Sequence, residues 1–243
     1  MKKRIINWIK KQVRDALAKG IVLGLSGGVD SAVVASLSKE AVGKKRLLVL
    51  IMPCHSQPQD LEDAKLVAKK LGIKTKTIDL SGIYDSLRKI LPKADKLALA
   101  NLKPRLRMLT LYYFANKLNY LVCGTGNKSE LMVGYFSKHG DGATDILPIG
   151  DLLKREVRKL AKDLGVPGHI ITKAPSAGLW LGQTDEGEMG ITYPELDGIL
   201  ERLEKGKKQI LSKGKVNRVK EMIRRSEHKR AGPKICYISR DNR

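Results

Sequence analysis

The chain has 243 residues, 42% of them apolar and 30% charged, and 47 Lys and Arg against 25 Asp and Glu leave a net charge of +22. That balance describes a folded globular protein with a sizeable core; with no run of ~18 apolar residues it excludes a membrane-spanning helix, and the basic start Met1-Lys2-Lys3-Arg4 lacks the apolar stretch of a secretory signal. The three cysteines, Cys54, Cys123 and Cys236, are far apart and form no CxxC pair, which argues against a zinc ribbon or disulfide framework and for a reduced, cytoplasmic setting.

Apolar residues at Ile5, Ile6, Ile9, Val13, Ala16 and Leu17 follow helical spacing and predict an amphipathic helix. The run Ile21-Val22-Leu23-Gly24-Leu25 predicts a buried strand, and residues 32–42 a helix. Residues 47–52 predict a second strand, stopped by Pro53, and residues 60–71 a helix closed by Gly72. Residues 75–80 and 120–123 predict strands three and four, with a long helical stretch, 83–118, between them, interrupted by Pro92 and Pro104. Residues 134–150 read as loop, 154–164 as helix, and 193–205 and 216–226 as two further helices. Strands alternating with helices predict an α/β fold: a doubly wound parallel sheet flanked by helices, in a single domain over residues 1–243.

Between the first strand and its helix stands Ser26-Gly27-Gly28-Val29-Asp30-Ser31. Paired glycines let the backbone approach an anion closely. N–H groups of the turn, the following helix N-terminus and two serine hydroxyls supply donors. In an open α/β sheet, this point at a strand's carboxyl end is where ligands bind. A carboxylate at Asp30 would repel a phosphate unless a cation bridged them, so Mg²⁺ is implied. The alternative, that Asp30 only caps the helix and the glycines only turn the chain, suits a bare Gly-Gly pair but not all six residues at such a junction. No GxxxxGK[ST] or GxGxxG is present.

The charge has two readings. One is a nucleic-acid partner; the other is a Lys-rich solvated surface around a phosphate-rich small substrate. The positive residues are spread along helices, and seven Tyr and two Phe leave little for base stacking, which favours the second reading and no nucleic-acid partner.

The loop from Gly24 to Ser31 resembles the pyrophosphate-binding loop of the N-type ATP pyrophosphatases. Later segments narrow the resemblance: Asn101-Leu102-Lys103-Pro104-Arg105, Gly124-Thr125-Gly126-Asn127-Lys128-Ser129-Glu130, Gly134 to Asp145, Lys173-Ala174-Pro175-Ser176, Gln183-Thr184-Asp185-Glu186 and His228-Lys229-Arg230. Together they are similar, in order and from about Ile5 onward, to the ammonia-dependent NAD⁺ synthetases. The resemblance implies a Rossmann-like, adenine-nucleotide α-hydrolase-like fold. It implies that Gly24, Leu25, Ser26, Gly27, Gly28, Val29, Asp30 and Ser31, with Thr125, Lys154 and Ser176, hold ATP. Asp30 and Glu130 match two Mg²⁺ carboxylates. Arg105, Lys138, Asp145, His228 and Lys229 match contacts to deamido-NAD⁺. Asp30, Lys154 and Asp145 are the residues it assigns to catalysis, Asp145 as a guess at the base for ammonia.

Taken singly, several of these have structural alternatives: Arg105 on a helix surface, Lys138 solvated in a Gly-rich loop, Asp145 capping a turn, and His228-Lys229-Arg230 in a basic tail. Pro104, His139 and the short stretch 54–59, which should border the adenine, depart from the family pattern. The implied reaction adenylates the carboxylate of deamido-NAD⁺ with ATP and displaces AMP with ammonia, giving NAD⁺. The length leaves no room for a fused glutaminase domain, so free ammonia is the expected nitrogen source unless a separate glutaminase subunit docks. A homodimer is implied, with the apolar face of the first helix and the helix at 106–118 as candidate interfaces. A tRNA-modifying enzyme of the same superfamily is the alternative that the charge supports.

Overall fold

The computed structural model describes residues 1–236 and 238. Helix α1 (Lys2–Asp15) buries Ile6, Ile9 and Val13, spaced three and four apart. It leads into β1 (Gly20–Gly24), α2 (Val29–Val42), a 3₁₀ turn (Lys44–Arg46), β2 (Leu47–Ile51), α3 (Pro58–Leu71) and β3 (Thr75–Thr77). Helices α4 (Ser81–Ile90), α5 (Lys96–Ala100) and α6 (Leu102–Leu118) precede β4 (Tyr120–Val122). The remainder holds α7 (Lys128–Val133), α8 (Lys154–Asp163), α9 (Gly168–Thr172), α10 (Asp185–Met189), α11 (Tyr193–Glu204), α12 (Lys213–Arg225) and α13 (Glu227–Arg230).

The four strands are parallel, in the order β3-β2-β1-β4. Alternation along β1 sends Ile21 and Leu23 to one face and Val22 to the other. Ile21 and Leu23 pack among Ile9 of α1, Ala35 of α2, Val67 of α3 and Leu160 of α8. Val22 packs with Leu50, Tyr84 of α4, and Leu106 and Ala115 of α6. The sheet is therefore covered on both faces, as expected. A third cluster joins Val133 of α7 to Met189, Tyr193, Leu196, Ile199, Val216 and Val219 of α10, α11 and α12. The chain runs outward from β1 through β2 to β3, then returns to place β4 on the other side of β1. That reversal opens a crevice at the carboxyl ends of β1 and β4.

The structure differs from the sequence reading in four places. Strand three ends at Thr77, because Asp79 accepts a hydrogen bond from Ser81 N (2.9 Å) and α4 begins. Pro104 does not interrupt a helix. It is the third residue of α6, where no intrahelical partner for its N–H is needed, and the break falls at Asn101 instead. The short helices α7, α9, α10 and α13 form where the sequence reading placed neither helix nor strand. The apolar face of α1 is not a free interface: Ile9 is fully buried against its own chain. Cys54 and Cys123 are buried and free, and no helix among the described residues is long and apolar enough to cross a membrane.

Candidate active site

The loop between β1 and α2 is held by its own polar groups. Leu25 N donates to Leu50 O at 2.8 Å, fixing the loop to β2. Ser31 Oγ donates to Gly28 O (3.0 Å) and accepts from Ser26 N (3.2 Å), and Ser26 Oγ accepts from Gly28 N (3.3 Å). Gly27 has φ +85, and a Cβ there would stand 2.3 Å from Asp60 O of α3. Only glycine satisfies both conditions. Gly28 caps α2 without a side chain, so the first-turn N–H groups are available to an anion.

Asp30 in the first turn of α2, Glu130 in the first turn of α7 and Lys154 at the start of α8 converge on one point. Lys154 Nζ lies 2.7 Å from Asp30 Oδ2 and 3.1 Å from Glu130 Oε1. Its side chain is 2% exposed and those of both carboxylates are 17% exposed. Burial opposes the Lys154 charge, but the two carboxylates outweigh it and hold the ammonium protonated. Asn127 orients both acids. Its Nδ2 donates to Asp30 Oδ1 (2.9 Å), and its Oδ1 accepts from Glu130 N (3.0 Å) in a capping box. The Tyr193 hydroxyl lies 3.3 Å from Glu130 Oε1 and 2.9 Å from Asp185 Oδ2, and Lys154 Nζ stands 4.8 Å from the centre of its ring.

The structure thus brings together Asp30, Glu130 and Lys154. Two carboxylates within reach of one cationic nitrogen form an oxygen donor pair that suits Mg²⁺, which takes one or two carboxylates and completes its shell with phosphate oxygens and water. Thr125 lies half-buried between β4 and α7. Ser176 is exposed, and its Oγ accepts from Gly178 N at 3.1 Å. Among the described residues neither bonds to the Asp30 cluster. Ser176 follows Lys173, whose ammonium pairs with Asp60 (2.7 Å) and Asp63 (2.6 Å) of α3. The Gly27 turn rests on the same helix end.

A second group forms around the loop at 134–140. Arg105 Nη2 donates to Lys138 O at 3.4 Å, and Lys138 Nζ donates to His228 O at 2.5 Å. Lys229 Nζ donates to Gly134 O (2.8 Å) and Phe136 O (2.9 Å). Gly134 (φ +68) lets α12 close in, since a Cβ there would meet Ser226 Cβ at 2.0 Å. Arg105, Lys138, His228 and Lys229 therefore lie side by side. Asp145 stands apart from both groups. Its Oδ2 accepts from Val122 N of β4 (2.7 Å) and its Oδ1 from the Tyr112 hydroxyl of α6 (3.0 Å). Burial, reinforced by the Asp145 charge, pushes the Tyr112 phenol up to about 12.

Sequence reasoning gave no role to Asn127, Tyr193 and Asp185. The pattern Asn127-x-x-Glu130 is a legible capping signal. Asp185 lies in the quoted run Gln183-Thr184-Asp185-Glu186 but was given no role, and Tyr193 meets the site only through tertiary contacts.

The sheet order, the Gly-rich loop at its reversal point and the buried acid–lysine–acid cluster define a nucleotide-handling α/β enzyme. A family model described as NAD synthase matches residues 1–233. An NH₃-dependent NAD⁺ synthetase of Carboxydothermus hydrogenoformans is 52% identical over 240 residues, which are 97% of this chain and 96% of that protein. Among solved structures, an NMN synthetase from Francisella tularensis superposes with a TM-score of 0.88 at 40% identity, covering 98% of this chain and 97% of its own. An NH₃-dependent NAD synthetase from Campylobacter jejuni, in complex with the nitrate ion, gives 0.85 at 32% identity, covering 97% of each chain. The chain belongs to the NAD synthase family.

Proposed function

We propose that this chain is an ammonia-dependent NAD⁺ synthetase, a C–N bond-forming ligase that converts deamido-NAD⁺, ATP and ammonia to NAD⁺, AMP and pyrophosphate. The observation that carries the reading is the meeting of Asp30, Lys154 and Glu130 beside the Gly-rich loop, in a chain with near full-length NAD synthetase relatives. Those relatives leave the tRNA-modifying alternative without support.

In the proposed reaction the triphosphate of ATP lies along residues 24–31, with N–H groups of the loop and of α2 on its oxygens. Thr125 and Ser176 flank the nucleotide. A nicotinate oxygen attacks the α-phosphorus, the bond to the β-phosphate oxygen breaks, and pyrophosphate leaves. Lys154 neutralises the charge that grows on the leaving oxygen. Asp30 and Glu130 would hold Mg²⁺, which supplies further charge neutralisation. Ammonia then attacks the acyl carbon and AMP departs. Arg105, Lys138, His228 and Lys229 suit the pyrophosphate of the dinucleotide. Asp145 contributes by fixing β4 and α6 around that substrate; both its oxygens are already engaged, which weakens its assignment as the base for ammonia.

We place the enzyme in the cytoplasm, a reading supported by its buried free thiols. We also infer a homodimer. Leu109 and Tyr113, one turn apart on α6, are 63% and 59% exposed, and a second copy would cover them. The structural likeness to the Francisella NMN synthetase favours a second acceptor, the mononucleotide of nicotinic acid. The test is pyrophosphate release from Mg-ATP and ammonium with deamido-NAD⁺, nicotinic acid mononucleotide or tRNA as acceptor, with product masses recorded. Release with deamido-NAD⁺ and a product one mass unit lighter than it is the expected result; release only with another acceptor overturns it.

A further inference from the structure

Lys154 is the first residue of α8, and the residue before it, Leu153, has no polar side chain to cap the helix. A helix start without a cap leaves N–H groups unsatisfied, and its dipole disfavours an ammonium in the first turn. Within α8, Glu156 Oε2 accepts from Leu153 N at 2.8 Å, and the next N–H groups are capped from a different helix. Asp197 of α11 is fully buried. Its Oδ2 accepts from Arg155 N at 2.9 Å, and its Oδ1 accepts from the Ser129 hydroxyl at 2.5 Å. Ser129 Oγ in turn accepts from Lys154 N at 3.0 Å. Among the described residues Asp197 forms no ion pair. Its charge is met by the N-terminus of α8 and by one hydroxyl.

The connection is specific in what it joins. Ser129 precedes Glu130 on α7, Lys154 begins α8, and Asp197 lies one helical turn from Tyr193 on α11. The one carboxylate therefore fixes three helices that carry three members of the cluster. With Glu156 of the same first turn, it also supplies negative charge where the dipole of α8 opposes the Lys154 ammonium.

We propose that Asp197 is a positioning residue for Lys154: through Ser129 and the first turn of α8 it holds the lysine at the point where pyrophosphate charge develops. The proposal rests on the reading of Lys154 given above. In Asp197→Asn the amide oxygen can keep Arg155 N, but the amide N–H must then donate to Ser129 Oγ, so that bond reverses, the Ser129 hydroxyl loses its acceptor, and the negative charge at the start of α8 is gone. A displacement of Lys154 by about 1 Å is expected to lower kcat about 100-fold, with the KM for ATP changed far less, because the loop at 24–31 is untouched.

The experiment is a double-mutant cycle on acceptor-dependent pyrophosphate release, using Asp197→Asn, Lys154→Met and the pair, with a thermal melt of each. If Asp197 acts through Lys154, adding Asp197→Asn to Lys154→Met costs no further rate. Additive losses, an unchanged kcat in Asp197→Asn, or a kcat loss no greater than the rise in KM would overturn the proposal. A Lys154→Met enzyme with the parent rate would instead overturn the role given to Lys154. Should Asp197→Asn fail to fold, Ser129→Ala carries the same cycle, since it cuts the same link at its middle atom.

Discussion

Replacing Lys154 with Met tests the centre of the site on two independent scales. The substitution keeps most of the side-chain volume and removes the charge. It leaves Asp30 and Glu130 facing each other with no cation between them, each only 17% exposed. Breaking a buried pair by removing one partner costs about 3–5 kcal/mol. At about 2–4 °C per kcal/mol for a chain of this length, the melting midpoint should fall by about 6–20 °C. Catalysis should suffer separately, because the lost charge is aimed at a developing oxyanion, and such losses lower kcat by about 10²–10³-fold. Calorimetry of the ligand-free protein and a pyrophosphate-release assay read the two effects. Adding Glu130→Gln to Lys154→Met should return part of the stability, by neutralising one of the stranded acids, and none of the rate. A Lys154→Met protein that melts with the parent and turns over at its rate would refute both the electrostatic argument and the role given to the lysine.

Gly27→Ala should cost about 100-fold in kcat/KM for ATP, since positive φ and the approach to Asp60 O both exclude a Cβ; a nucleotide titration checks it, and an unchanged affinity would show that the loop does not hold ATP. The Asp63–Lys173 pair should shape acid stability. Burial alone would raise the Asp63 carboxyl, but Lys173 and Gln59 outweigh it and set its pKa below the ordinary 3.8. The stabilisation is therefore present at neutral pH and lost as pH falls below about 4 through the folded pKa; Asp63→Asn should flatten that limb of a melting-midpoint profile, and an unaltered limb would count against the pair. Asp145→Asn should lower stability by about 1 kcal/mol through its bonds to Val122 and Tyr112 while leaving the pH dependence of ammonia addition unmoved. A shifted profile would restore Asp145 to the chemistry.

How much of this was legible in the sequence depended on how local each signal was. The β-branched run at Ile21-Val22 and the spacing of Ile6, Ile9 and Val13 place β1 and α1, because period alone decides which side is buried. Thr75–Thr77 is legible as a strand but not in its length, which is set by Asp79 turning the chain into α4. The sequence points to Asp30, Glu130 and Lys154 singly. Nothing in it says that one nitrogen meets both acids, since 124 residues separate the lysine from Asp30. Asp197 left no trace at all. It reads as one polar residue in an amphipathic helix, and its burial becomes visible only when α8 is laid against α11.

The position of β4 has a consequence in time. Strand β1 pairs with β2 after a short crossover, but its other edge waits for β4, about a hundred residues later. Asp30 waits longer still, for a lysine 124 residues downstream. At synthesis rates of about 5–20 residues per second, that interval is about 6–25 s. For most of it, until β4 is made, β1 presents an open apolar edge beside a carboxylate that has no lysine to meet. Glu130 and Lys154 are made only after β4, both in the stretch that follows it, so closing this half of the sheet and assembling the working site belong to the same late stage of folding.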